Sequence, residues 1–96
     1  MPCTFSPLAE NDLEDIADFI ARDNPARAAS FIDEIRKRCT NITLMPLAAP
    51  LHPELGKDIR MVVFDRYLIF YTVEANNVRI ERILHGARNL PYLFDA

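Results

Sequence analysis

The sequence predicts an α+β domain of order β-α-α-β-β-β, in which an N-terminal strand and a helical hairpin pack on a small, mainly antiparallel twisted sheet. Two observations predict this class. Apolar residues recur at helical spacing in the first half of the chain, and three runs rich in β-branched and aromatic residues dominate the second half. The 96 residues are the usual size of one domain, so we expect residues 1–96 to form a single domain.

The first strand and the first helix are predicted from residues 3–23. Cys3 to Phe5 are typical of a short strand. Ser6 and Pro7 predict a helix start, because serine caps free N–H groups and proline suits the first helical position. We expect the helix to continue to about Asp23. Its apolar stripe is formed by Leu13, Ile16, Ala17 and Ile20.

A second helix follows after a very short connection. Asn24 can cap it and Pro25 can occupy its first position, and the apolar periodicity continues to about Leu44. The stripe consists of Ala28, Phe31, Ile32, Ile35, Cys39 and Ile42. Because the two helices are joined so tightly, we expect them to fold back on each other.

Three prolines in residues 45–56 forbid regular structure there and predict an ordered, stiff connection. His52 in this segment has no partner in the local sequence, and such a histidine is more often a bystander than a ligand. The three predicted strands are Ile59–Phe64, Tyr67–Val73 and Val78–Leu84, joined by turns at 65–66 and 75–77. The middle strand is apolar on both faces, so the second face of the sheet must also be covered, by the chain itself or by a partner.

Composition and charge exclude several classes of protein. Eleven Lys and Arg residues against fourteen Asp and Glu residues give a net charge of −3, whereas proteins that hold nucleic acid through its phosphates are usually strongly basic. We therefore expect no direct specific DNA binding by this chain alone. No apolar run approaches the ~20 residues of a membrane span, and the first residues lack the pattern of a secretion signal. A cytoplasmic protein without a membrane partner is predicted.

The two cysteines, Cys3 and Cys39, are candidates for a disulfide or for metal binding. Each stands without a second Cys or a His at short spacing, and thiols stay reduced in the cytosol. We therefore interpret both as buried small side chains. No metal and no cofactor is expected.

Two segments carry a resemblance to a known family. The helical hairpin followed by "ELGKDIRMVVFDRYLIFYTVE" and "RIERILHGARNL" resembles the ParE branch of the RelE/ParE toxins over nearly the whole chain. The most specific pieces are the Arg60 strand after residues 54–56, the strand beginning at Arg66, and residues 82–90.

The resemblance implies a toxin of a type II toxin–antitoxin module, of the kind linked to plasmid stabilisation, that poisons DNA gyrase. It also implies neutralisation by a ParD-like, ribbon-helix-helix antitoxin within a hetero-oligomer. RelE-like relatives share the fold but cleave messenger RNA on the ribosome, so a ribosome-dependent endonuclease is the alternative. A helical-hairpin adaptor without toxicity is a third possibility.

The side chains decide between cleavage and binding. RNA cleavage by a 2′-hydroxyl needs a base, an acid and positive charge on the phosphate. If the chain is a nuclease, the candidate catalytic residues are Arg60, Arg66, His85, Arg88 and Tyr92. Only Lys37 and Lys57 supply lysine, which weakens the nuclease interpretation without excluding it. We therefore favour a non-catalytic inhibitor, for which no catalytic residue is assigned.

The last strand bears on the role of His85. Alternation places Arg79, Glu81, Ile83 and His85 on one face and Ile80, Arg82 and Leu84 on the other, so that His85 and the arginine at 82 diverge. Adjacent apolar residues at 83 and 84 predict burial on both sides or a bulge there. Gly86 predicts a sharp strand exit with positive φ. His85 then either closes the core edge, which this pattern favours, or contacts the target.

Two binding surfaces are predicted. Residues 57–88 carry six Lys and Arg against four Asp and Glu, so we assign target binding to Arg60, Arg66, Arg82, Arg88, Tyr92 and Phe94. Antitoxin binding is assigned to a second row of residues along the first helix, beside its apolar stripe. This row consists of Leu8, Asp12, Asp15 and Phe19. The alternative for Phe19 is packing against the second helix. The apolar tail, residues 89–96, either folds back on the sheet or is a recognition segment.

Overall fold

The order of helices and strands along the chain is the one that the sequence predicts. A computed structural model describes residues 1–87. Its elements are β1 (Cys3–Phe5), α1 (Pro7–Ala21), α2 (Pro25–Asn41), β2 (Arg60–Phe64), β3 (Tyr67–Glu74) and β4 (Asn77–His85), with short 3₁₀ helices at Ile42–Leu44 and Pro53–Leu55. The predicted α+β class and element order are confirmed. No helix in the described part of the chain is long and apolar enough to span a membrane.

The four strands form one mixed sheet in the order β1-β4-β3-β2. Strands β2, β3 and β4 make the predicted antiparallel meander. Strand β1 pairs with β4 in parallel, with Cys3 opposite Val78 and Phe5 opposite Ile80. A parallel pair requires a crossover connection, and the helical hairpin with β2 and β3 lies between the two strands in the chain. The outer strands of the sheet are therefore β1 and β2.

Both helices begin where the sequence predicts. The Ser6 hydroxyl accepts a hydrogen bond from the backbone N–H of Ala9 at 3.0 Å, and the Asn24 side chain accepts one from Arg27 at 3.0 Å. Helix α1 ends at Ala21, two residues before the predicted end, and Asn24, which caps α2, has a non-helical backbone with φ −153° and ψ 89°. Helix α2 ends at residue 41, and the predicted last turn to residue 44 is 3₁₀ instead.

The core lies between the helical hairpin and one face of the sheet. The ring of Phe31 packs against the rings of Phe64 and Tyr67, with 5.6 Å between centroids in both pairs. The buried side chains come from both helical stripes and from alternate strand positions: Ala9, Leu13, Ile16, Phe31, Ile35, Cys39, Ile42, Tyr67, Ile69, Tyr71, Val78, Ile80 and Ile83. The predicted stripes therefore face the sheet, with Ile20 and Ile32 partly buried at the margin.

The cysteines are both free thiols. Cys39 is buried, as predicted, and burial raises the pKa of its thiol to about 12. Cys3 is half-buried, and its Sγ lies 3.6 Å from the carbonyl oxygen of Cys39 as a weak donor. Burial raises the pKa of the Cys3 thiol as well. Within residues 1–87, no group of three or more His, Cys, Asp and Glu side chains could hold a metal ion.

Strand β4 departs from the simple alternation that the sequence predicts. Ile80 pairs with Tyr71, whereas Arg82 pairs with Phe70, so Glu81 is an extra residue in β4. This is a β-bulge, which resets the alternation of side chains beyond it. A bulge is thus present, but it lies at position 81. At the end of the strand the other predicted alternative is confirmed, because Ile83 and Leu84 are both buried on opposite faces of the sheet.

The bulge corrects the predicted faces of β4. Ile80 and Ile83 were expected on opposite faces, but both lie in the core beside the helices. Since directly paired residues share a face, the register places His85 with Ile83 on the helix side. Arg82 and Leu84 belong to the other face, so the predicted divergence of positions 82 and 85 survives the correction.

The second face of the sheet is covered in part. Phe70 and Leu84 are both buried although they lie on the face away from the helices. Val63 belongs to the same face but is 60% exposed. The burial of Phe70 therefore confirms that the second face of the middle strand is covered, whereas the outer strand β2 presents Val63 of this face to solvent.

Gly86 does not have the positive φ that its position predicted. The glycine with positive φ in residues 1–87 is Gly56, at 146°. The N–H of Gly86 donates to the carbonyl of Arg66 at 3.1 Å, which ties the end of β4 to the β2–β3 turn. A Cβ added at Gly86 would lie 3.6 Å from Cγ of Leu68, an ordinary contact.

Replacing Gly86 with alanine is therefore expected to leave the free energy of unfolding unchanged or to raise it by up to about 1 kcal/mol, because alanine restricts the unfolded chain. Gly56→Ala is the matched control and should lower it by about 1 kcal/mol or more. Its φ disfavours L residues, and the new Cβ would lie 3.1 Å from Cδ1 of Ile59. Urea unfolding measures both variants, and a loss above about 1.5 kcal/mol for Gly86→Ala would contradict the assignment.

Candidate functional site

A buried carboxylate joins helix α1 to the last strand. Oδ2 of Asp12 accepts hydrogen bonds from Nε of Arg82 and from the backbone N–H of Ile83, both at 2.9 Å. Oδ1 accepts from Nη2 of Arg82 at 3.0 Å. Asp12 is 7% exposed, and its hydrogen bonds raise the pKa of the Arg82 guanidinium. Two residues predicted for different partners, the antitoxin and the target, therefore bind each other.

Arg60 holds the proline-rich loop against the sheet. Its Nη1 donates to the carbonyl oxygens of Leu47 at 3.2 Å and Ala49 at 2.6 Å. The Tyr71 hydroxyl donates to the carbonyl of Pro46 at 2.8 Å, and burial raises the pKa of this hydroxyl. The guanidinium of Arg60 thus has acceptors within the chain. Its hydrogen bonds and that of Tyr71 attach the loop to the sheet, which gives a physical cause for the predicted stiffness of the loop.

His52 also has a local partner, contrary to the prediction. Its Nδ1 lies 2.8 Å from Oε1 of Glu54, and its backbone N–H donates to the carbonyl of Ile59 at 2.8 Å. A backbone hydrogen bond to the Glu54 carboxyl and then the hydrogen bond from His52 hold the pKa of this carboxyl below its usual value. These contacts close the loop onto the start of β2, and they give His52 a structural role.

The remaining predicted target-binding residues divide into two groups. Arg66 lies at the β2–β3 turn and is exposed. Arg88, Tyr92 and Phe94 lie outside the described residues, as does the predicted apolar tail. Among the arginines predicted to bind the target, Arg66 is therefore the one in residues 1–87 that is exposed to solvent and has no hydrogen-bond acceptor within that part of the chain.

An open hollow of about 410 Å³ lies beside His85, between α1 and the ends of β3 and β4. The ring of His85 meets the ring of Tyr67 edge-on, with centroids 5.4 Å apart at 88°. Nδ1 of His85 accepts the backbone N–H of Ala87 at 3.3 Å. We call this site the aromatic–acidic hollow; it is lined by Asp12, Asp15, Ile16, Asp18, Phe19, Arg22, Tyr67, Ile83 and His85.

The hollow combines predicted residues with residues that the sequence reasoning missed. Asp15 and Phe19 were predicted, and Phe19 is 48% exposed at its edge. Asp18 and Arg22 were missed, although with the predicted pair they fall at i, i+3, i+4 and i+7, which is one stripe of a helix. Tyr67 was missed because its position opposite the histidine follows from strand register. Leu8 is exposed but does not line the hollow.

The charges in the hollow limit its chemistry. Three carboxylates line it, those of Asp12, Asp15 and Asp18, of which Asp12 is paired with Arg82, and Arg22 supplies one guanidinium against the other two. Such a balance repels a phosphate and attracts a cation. Of the residues predicted for RNA cleavage, Arg60 does not line this hollow, because its guanidinium has its acceptors in the loop. Arg88 and Tyr92 lie outside the described residues.

The fold is that of a small α+β protein in which a helical hairpin covers one face of a mixed four-stranded sheet, with an open hollow beside the first helix. The chain belongs to the ParE toxin family of type II toxin–antitoxin systems (parDE), whose model matches residues 3–90. It is similar in structure to a chain of the chromosomal ParDE TA system from P. aeruginosa, with a TM-score of 0.76 at 17% identity. That alignment covers 88% of this chain and 95% of the other. No curated protein sequence matches the chain.

Proposed function

We propose that this ParE toxin inhibits growth by binding and poisoning DNA gyrase, and that a cognate ParD-like antitoxin of the ribbon-helix-helix type neutralises it in the cytoplasm. The main support for the proposal is that two arginines of the sheet form hydrogen bonds within the chain. Arg60 binds loop carbonyls and Arg82 binds Asp12. Neither guanidinium is placed to clamp a phosphate, so binding to a protein is favoured over phosphodiester cleavage.

The surroundings of His85 support the same choice over a ribosome-dependent endonuclease. A histidine that moves protons during RNA cleavage works beside groups that stabilise growing negative charge on the phosphate. Here His85 shares its hollow with three carboxylates, and its Nδ1 accepts a backbone N–H. Negative charge on a substrate would be destabilised at this place.

Two surfaces are proposed for the two partners. Arg66, with Arg88, Tyr92 and Phe94 of the C-terminal segment, is proposed to contact gyrase. The exposed residues of α1, Leu8, Asp15 and Phe19, are proposed to contact the antitoxin. Asp12 is removed from that surface because its carboxylate is buried against Arg82.

The proposal is tested with the purified chain in two parallel assays, one for gyrase supercoiling and one for ribosome-dependent cleavage of messenger RNA. Inhibition of supercoiling without RNA cleavage is the expected result. Arg66→Gln should weaken inhibition roughly tenfold, because it removes an exposed charge from the proposed contact. Arg79→Gln is the matched control, since its exposed guanidinium pairs with Glu81 on the same strand.

Two outcomes would contradict this assignment. RNA cleavage at unchanged supercoiling would establish the endonuclease alternative. Equal effects of the Arg66 and Arg79 substitutions would remove the proposed gyrase contact. Co-expression of the antitoxin from the neighbouring reading frame should restore growth, and failure to do so would contradict the proposed neutralisation.

A further inference from the structure

We propose that the aromatic–acidic hollow is a socket for one arginine side chain of the antitoxin. This inference rests on the proposed neutralisation by an antitoxin and specifies the chemistry of that contact. It predicts that a guanidinium group enters between the edge of α1 and the ends of β3 and β4.

The first argument is the uncompensated negative charge at the edge of the hollow. Asp15 and Asp18 are exposed, and no salt bridge within residues 1–87 involves either carboxylate. The charge of Asp12 is balanced by Arg82. Arg22 offsets only one of the two remaining charges. The hollow also lies near the C-terminal end of α1, where the helix dipole favours a cation.

The second argument is the presence of aromatic rings beside these carboxylates. Phe19, Tyr67 and His85 all line the same hollow. A guanidinium group is planar and weakly hydrated, so it stacks on aromatic rings while it donates hydrogen bonds to carboxylates. A lysine ammonium is a strongly hydrated point charge that fits this combination less well. A volume of about 410 Å³ is sufficient for an arginine side chain.

Other occupants fit the site poorly. A phosphate or another anion would meet the net negative charge of the hollow. An apolar side chain would exclude water from Asp15 and Asp18 without offering them hydrogen bonds, and a desolvated carboxylate without a partner is costly. A guanidinium can donate hydrogen bonds to the two carboxylates and stack on the exposed part of the Phe19 ring.

The test measures the affinity of the toxin for its cognate antitoxin in a series of variants that alter charge without altering size greatly. Asp15→Asn and Asp18→Asn should each weaken the complex roughly three- to tenfold, and the double variant should weaken it more than tenfold. Arg22→Gln should strengthen it roughly two- to fivefold, because it removes the one opposing charge. Asp58→Asn is the matched control, an exposed carboxylate outside the hollow whose positive φ asparagine tolerates.

A second measurement uses a defined small probe on the wild-type toxin. Titration with N-acetyl-arginine amide should shift the ring NMR signals of Phe19, Tyr67 and His85, whereas N-acetyl-citrulline amide, which lacks the charge, should not. Unchanged antitoxin affinity in the double variant, or equal shifts with both probes, would overturn the socket. If no antitoxin binds the wild-type chain, the proposed neutralisation fails, and the probe titration still decides whether the hollow takes a guanidinium.

Discussion

Replacing Asp12 with alanine is expected to lower the free energy of unfolding by about 3 to 5 kcal/mol, the usual cost of removing one member of a buried ion pair. The substitution leaves the N–H of Ile83 and two donors of Arg82 without their acceptor. Because the Arg82 side chain is one-third exposed, its freed guanidinium can reach water. We therefore expect a loss near the lower end of this range.

The measurement is urea unfolding of the variant beside Asp15→Ala, a matched control on the same helix. The Asp15 carboxylate is exposed, so its removal should change the free energy of unfolding by less than about 0.5 kcal/mol. Asp12→Asn should lie between the two, since an amide oxygen can still accept from Ile83 but carries no charge. A loss below about 1 kcal/mol for Asp12→Ala would contradict the role of this carboxylate as the joint between α1 and β4.

The parts of the fold that depend on neighbours in the sequence could be predicted well. Ser6 with Pro7 and Asn24 with Pro25 predict the helix starts because capping is a contact over three residues. The bulge at Glu81 was not predicted at its position, since the adjacent apolar residues at 83 and 84 reflect burial on both faces and do not reveal which position is extra. An error of one position in such a strand moves every later side chain to the other face.

The candidate site could be predicted only in part, because it depends on contacts between distant segments. The stripe of Asp15, Phe19 and their helical neighbours is readable from spacing alone. The meeting of Asp12 with Arg82, seventy positions apart, is not. Both residues looked like surface charges, and burial turned them into structural partners. The position of His85 beside this helix follows from the bulge, which sequence alternation cannot locate.

The charges of the C-terminal half show why composition alone does not reveal which arginines have internal acceptors. An excess of positive charge in residues 57–88 predicted that this half of the chain contacts the target. In the fold, Arg60 and Arg82 donate to carbonyl and carboxylate oxygens of the chain itself, and Arg79 pairs with Glu81. A guanidinium with internal acceptors stabilises the fold, and it contributes little to a remote partner. The hollow with uncompensated charge is acidic and lies on the helix side.

The aromatic cluster around Phe31 is expected to contribute to the stability of the fold and not to the binding of a partner. Phe31→Ala is expected to lower the free energy of unfolding by about 3 to 5 kcal/mol, because it leaves a cavity between α2 and the sheet. Phe31 is buried, and its ring contacts those of Phe64 and Tyr67. Phe31→Leu retains part of this volume and should cost roughly 1 to 2 kcal/mol.

Phe19→Ala is the contrasting variant, because this ring is half exposed at the aromatic–acidic hollow. It should change the free energy of unfolding by less than about 1 kcal/mol and should weaken the antitoxin complex several-fold, whereas Phe31→Leu should leave antitoxin affinity nearly unchanged. Urea unfolding and a binding titration on the same preparations test both statements. A Phe19 variant as unstable as Phe31→Ala would assign its ring to the core, and the hollow would then lose its aromatic wall as a binding surface.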